Sequence, residues 1–110
     1  MAETTTRAGI LDTAKSLVCG DREKQYSTPE NSFTAIAALW STYLFNRFGD
    51  IPEALTPEDV GLMMALFKIA RIQTGSFKED SFIDACGYLA CAGEIAAGSA
   101  KGGETNGDTE

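Results

Sequence analysis

The chain has 110 residues, with 16 acidic against 9 basic side chains, no histidine and a formal net charge of −7. A single domain of that size buries a modest core and gains from association with further copies, while its acidity opposes non-specific attraction to duplex nucleic acid or anionic membranes. With histidine missing, the commonest general base and metal ligand are gone, and any catalysis must run on carboxylates, lysine, tyrosine or cysteine.

The N-terminus has no apolar run behind a basic start, and no stretch reaches membrane-spanning length, so a cytoplasmic setting is expected. Residues 1–6 read as a flexible lead-in. From Arg7 to Cys19, Ile10, Leu11, Ala14, Leu17 and Val18 recur at helical spacing, and Gly20 closes this first amphipathic helix. The polar loop Gly-Asp-Arg-Glu-Lys-Gln-Tyr-Ser follows. Thr28 then offers an N-cap with Pro29 at the first helical position, and Phe33, Ile36, Ala37, Trp40, Leu44 and Phe48 form the stripe of a second helix ended by Gly49. Thr56, Pro57 and Asp59 repeat the same start signal for a third helix, expected to stop near Ile72. A fourth runs from about Asp80 to about Ala97. Residues 98–110 hold no apolar side chain larger than alanine and are expected to form a disordered acidic tail behind a helical domain of residues 7–97. The fold class is all-α, a four-helix antiparallel bundle-like domain.

Helix three is apolar almost all round until Lys68 and Arg71. A short loop separates it from helix four, which predicts an antiparallel hairpin in which the numbers of facing residues add to a nearly constant value. That register sets Arg71 opposite Asp80, Lys68 opposite Asp84, Met64 opposite Tyr88, and Gly61 opposite Cys91. One reading is structural: two ion pairs near the turn, a sulfur-to-aromatic contact, and a layer of small residues that lets the helices approach. The other is functional. Cations at Lys68 and Arg71 suit a phosphate, and carboxylates at Asp80 and Asp84 suit a divalent cation such as Mg2+, with Tyr88 beside them. In the polar loop, Arg22, Lys24 and Tyr26 precede the N-terminus of helix two, where the helix dipole favours an anion and a tyrosine can stack on a base. Trp40 and Tyr43 read as core or interface residues. Cys19, Cys86 and Cys91 match neither a disulfide framework nor a zinc site, and the last two read as small buried hydrophobes.

From Ile10 to Glu94 the chain resembles a family of small, uncharacterised helical proteins of phages and prophages. The likeness rests on Gly20 to Arg22 with Tyr26, on Leu39 to Ser41, on Pro57 to Val60 with Lys68 to Arg71, and on Asp80 to Asp84 with Gly87 and Tyr88. Ser27 and Ser32 stand where that family tends to carry glycine and asparagine. Helices three and four are also distantly similar to the all-α nucleoside triphosphate pyrophosphatases of the MazG-like group, which hold magnesium with two acidic pairs on adjacent helices. Asp80 and Asp84 match one of those pairs. Helix three has methionines and apolar residues where the other would stand, and Glu58 and Asp59 lie at its far end.

These features predict a phage-type nucleotide-binding protein, acting in the host cytoplasm, that holds phosphate with Arg22, Lys68 and Arg71 beside paired aspartates, with Lys24 in the same ligand-binding set and Tyr26 or Tyr88 against a base. It hydrolyses its ligand weakly or not at all and sequesters a signalling nucleotide. A Mg2+-dependent MazG-like nucleotide pyrophosphatase, completed by a neighbouring copy, is the alternative. A non-catalytic homo-oligomeric protein that acts on a host protein is the third reading.

Overall fold

The computed structural model describes residues 5–20 and 28–103, the last four as backbone only. Four helices occupy them: α1 (Arg7–Cys19), α2 (Pro29–Phe48), α3 (Pro57–Thr74) and α4 (Glu79–Gly103). The all-α expectation holds, and among the described residues there is no strand. Helix α3 runs past Ile72 to Thr74, and α4 runs past Ala97 to Gly103, through a Gly-Ser-Ala-Lys-Gly-Gly stretch of low helix propensity where the sequence predicts the start of the tail. Residues 104–110 of the expected tail, 1–4 of the lead-in and 21–27 of the polar loop lie outside the described residues.

The helix starts are built as the sequence dictates. Thr6 and Thr28 cap α1 and α2, each hydroxyl accepting a backbone N–H three residues on, at 3.0 Å from Gly9 and 3.2 Å from Asn31. At α3 the arrangement is reciprocal: the Asp59 N–H donates to Thr56 Oγ1 at 3.1 Å and the Thr56 N–H donates to Asp59 Oδ2 at 2.9 Å. Gly49 ends α2 at φ 86°, in the left-handed region that costs glycine least, with its N–H donating to the Phe45 carbonyl at 2.8 Å. The chain then turns back, and the Leu55 N–H donates to Ser41 Oγ at 2.8 Å, tying the connection to α2.

Helices α3 and α4 form the central hairpin, with α1 packed on α4 and α2 on α3. Phe33, Ala37, Val60 and Cys91 are buried at the centre, and Val18, Ile36, Trp40, Leu55, Met64, Tyr88 and Ile95 pack around them. All four helices therefore meet on one side of the hairpin. Glycines allow the close approach there. A Cβ on Gly61 would stand 2.8 Å from Ala92 Cβ and 3.2 Å from both Phe33 Cε2 and the Tyr88 carbonyl oxygen, and one on Gly87 would stand 3.1 Å from Val18 Cγ1.

Burial departs from the sequence stripes at two positions. Leu11 and Phe48, placed on the buried stripes of α1 and α2, are 59% and 63% exposed. Phe48 instead carries the Arg47 guanidinium over its ring at 4.6 Å. Phe48 is the last residue of α2, whereas Leu11 lies within α1 and turns outward between half-buried Ile10 and buried Ala14. No helix among the described residues is long and apolar enough to cross a membrane.

Candidate functional site

The α3–α4 hairpin brings Lys68 and Asp84 together. Lys68 Nζ lies 3.0 Å from Asp84 Oδ2, with the two side chains 19% and 35% exposed. Lys68 follows Gly61 by two helical turns and shares its inward face, while Asp84 precedes Tyr88 by one turn on the matching face of α4. The pair is thus held by the same register that sets Ala92 and Tyr88 against Gly61. Among the described residues it is the one salt bridge.

The next turn outward departs from expectation. No salt bridge joins Arg71 to Asp80. The Arg71 guanidinium lies over the Phe67 ring at 5.6 Å, and the Lys68 ammonium lies 5.7 Å from the centroid of that ring. Arg71 and Asp80 are both exposed, so water solvates each of them, and each has a local source of stabilisation. Arg71 has the aromatic face, and Asp80 lies in the first turn of α4, where the helix dipole favours an anion.

Tyr88 is half-buried, its ring centroid 6.4 Å from that of Phe33, so part of its surface is committed to the core. At Gly61 the nearest atoms belong to Ala92, Phe33 and Tyr88 rather than to the expected Cys91. Cys91 is buried in the core, Cys86 is half-buried and Cys19 is exposed. Trp40 packs on the core as expected, whereas Tyr43 is exposed.

Arg22, Lys24 and Tyr26 lie outside the described residues, but the helices on either side are anchored near the pair. Phe33 meets Gly61, and Ser41 meets Leu55, so α2 runs antiparallel to α3. Stepping back from Phe33 to Thr28 and forward from Gly61 to Lys68, at about 1.5 Å per residue, brings the start of α2 near the level of Lys68. On the other side, Val18 at the end of α1 stands against Gly87, one turn from Asp84. Lys68, Arg71, Asp80, Asp84 and the N-terminus of α2 therefore gather toward one end of the bundle.

Among the described residues, no group of three or more carboxylates or cysteines is placed to hold a metal ion. Asp80 and Asp84 supply two carboxylates, one of them already engaged by Lys68. Mg2+ is commonly held by one or two carboxylates together with phosphate oxygens and water, so the set fits a metal carried in with a phosphate better than a resident ion.

A second feature was missed from the sequence. Lys68 of α3 points inward, while Leu62, Leu66 and Ile69, at 40%, 62% and 44% exposure, point out. On α4, Phe82 and Leu89 are likewise exposed, at 37% and 48%. The signal was available: these positions recur at three-and-four spacing with no charge among them, on a different face from the stripe of Lys68 and Arg71.

Residues 9–96 match the family described as Domain of unknown function (DUF6378). The chain belongs to that family. It is also similar to the Gene 55 protein of Mycobacterium phage D29, 40% identical over 86 residues, which are 78% of this chain and 52% of that protein. The Gene 55 protein of Mycobacterium phage L5 is 35% identical over 79 residues, 72% of this chain and 47% of that protein. The chain thus spans about half the length of the curated relatives it matches. No solved structure matches the chain. The resemblance to phage proteins is therefore established, and the likeness to MazG-like pyrophosphatases gains no support from these relatives.

Proposed function

We propose that the chain is a phage-type nucleotide-binding protein whose phosphate-holding groups are Lys68 and Arg71, aided by Arg22 and Lys24 and flanked by Asp80 and Asp84. The observation that carries this reading is the Lys68–Asp84 pair, mostly withdrawn from water on the inward face of a helix whose outward face is apolar. A buried ion pair contributes little more to stability than apolar side chains of similar size, so its position between two helices favours a role besides packing. Arg71 lies one turn further on, exposed and unpaired by a carboxylate, and its planar fork suits two phosphate oxygens. Asp84 would hold the ammonium in place until a phosphate arrives. Asp80 would then either repel a misplaced anion or share a magnesium ion that enters with the ligand.

Titration calorimetry against nucleoside triphosphates and cyclic nucleotides, with and without magnesium, tests the reading. At least one should bind well below millimolar, and Arg71→Ala should weaken that binding about tenfold or more while leaving the helical circular dichroism unchanged. Absence of binding by every member of the panel would end it. Pyrophosphate release in the same mixtures examines the pyrophosphatase alternative, which needs carboxylates from a second copy because α3 supplies none beside Asp80 and Asp84. The third reading, a non-catalytic interaction protein, draws on the exposed apolar side chains of the hairpin.

A further inference from the structure

The hairpin of α3 and α4 is covered on one side only. Val18 of α1 meets Gly87, Phe33 of α2 meets Gly61, and these contacts belong to the single core cluster. At about 100° per residue, Leu62, Leu66 and Ile69 fall in a sector roughly 80–140° round α3 from Gly61, turned away from the side that holds Val60 and Met64. On α4, Phe82 and Leu89 fall roughly 140–160° round from Asp84, away from Ala92 and Tyr88, which face Gly61. Because the two helices are antiparallel, those sectors open onto the same side of the hairpin. They form a nearly flat apolar strip two helices wide.

We infer that this strip, centred on Leu66 and Leu89, is the contact face of a symmetric dimer in which the hairpin of a second copy packs against it to complete a four-helix layer. Two observations select a second copy as occupant. First, the strip carries no charged side chain, so two chains of net charge −7 can meet there without opposing like charges at the contact. Second, the area is suitable. Leu62, Leu66, Ile69, Phe82 and Leu89 together expose on the order of 500 Å². The Ala85 and Gly93 surface between them adds to that, against roughly 800 Å² per partner in a standard interface. An antiparallel pair of helices that presents the same apolar stripe on both copies is self-complementary about a two-fold axis, which closes the assembly at two.

The inference does not depend on nucleotide binding, and its test is independent of it. Light scattering coupled to gel filtration, and sedimentation velocity, should give the full chain a mass of twice 11.7 kDa at tens of micromolar. Leu66→Glu and Leu89→Glu should each halve that mass. Both side chains point to solvent within the protomer, so circular dichroism should stay as helical as in the parent. Leu39→Glu, on α2 and 69% exposed away from the strip, should leave the mass at the dimer value. A parent chain that is monomeric at these concentrations would overturn the proposal and leave the strip to a different protein. So would a dimer that survives both hairpin substitutions, or one that dissociates with Leu39→Glu instead.

Discussion

Lys68 and Asp84 meet at 3.0 Å across the α3–α4 hairpin, each side chain mostly shielded from water. Such a pair lies between the surface case, where an ion pair contributes about 0–1 kcal/mol, and the buried case, where losing one partner costs about 3–5 kcal/mol. Lys68→Ala or Asp84→Ala alone should therefore destabilise the fold by about 1–3 kcal/mol in urea unfolding, because the remaining charge stays half-withdrawn from water. The charge-swapped double variant, Lys68→Asp with Asp84→Lys, should recover much of that loss. Under the nucleotide-binding proposal the same variant loses the ligand, since the cation then stands on the wrong helix. A swapped protein that is stable and still binds would leave the pair a structural one.

Arg71 should behave differently from Lys68, although both cations share one stripe of α3. It is exposed and rests on the Phe67 ring, so Arg71→Ala removes a cation–π contact of about 0.5–1 kcal/mol and leaves no buried carboxylate behind. Chemical unfolding should place its cost below that of Lys68→Ala. Phe67→Leu, which keeps bulk without a π face, should cost a similar amount, and the double variant should cost less than the two singles added together.

The hairpin register was legible in the sequence because one stripe of α3 and one of α4 carry opposite charges at matching spacing, and because a short loop leaves the chain few ways to turn. The caps at Thr28 and Thr56 were legible for a local reason: a threonine followed by proline can serve little else at a helix start. Arg71 and Asp80 escaped the same logic. Near the exposed turn of a hairpin, water and nearby groups satisfy each charge as well as the opposite helix does. The apolar strip of Leu62, Leu66 and Ile69 was legible as a stripe but not as a surface, because an apolar residue on a helix reads as core until the neighbours of that helix are known. With α1 and α2 both on one side, it is the other side of the hairpin that stays bare. The family match reaches from residue 9 to residue 96 but brings no activity with it, so the function rests on the side chains.

Gly61 is the position where the smallest change should be felt most. An alanine there gains about 1 kcal/mol of helix propensity, yet its Cβ would stand 2.8 Å from Ala92 Cβ and 3.2 Å from the Tyr88 carbonyl oxygen, so α3 and α4 would have to separate. Overpacking of this kind costs about 1–3 kcal/mol, and the net effect of Gly61→Ala should be destabilising. At Gly87 the neighbour is a single Val18 methyl at 3.1 Å, on a helix that packs more loosely, and Gly87→Ala should come close to neutral. Thermal melts of the two variants separate these cases directly. A Gly61→Ala protein as stable as the parent would show that the two helices have slack at their closest approach.

The caps set the last expectation, because α3 begins with a reciprocal pair and α2 with a single bond. At α3, Thr56→Ala removes the hydroxyl that accepts the Asp59 N–H, and the Asp59 carboxylate keeps its own bond to the residue 56 amide. That loss is about 1 kcal/mol. Asp59→Ala removes the other half together with a carboxylate that favours the helix dipole, at a similar cost. The double variant should lose less than the sum, since each half of the box fixes the geometry of the other. At α2, Thr28→Ala gives up one bond of 3.2 Å, which is longer, and should cost no more than Thr56→Ala. Thr28 also begins the helix whose N-terminus comes near the level of Lys68. If a phosphate binds at that end, added nucleotide should raise the melting temperature of the Thr56→Ala protein as much as that of the parent, and raise that of Thr28→Ala by less. Equal shifts in all three would place the ligand away from the start of α2.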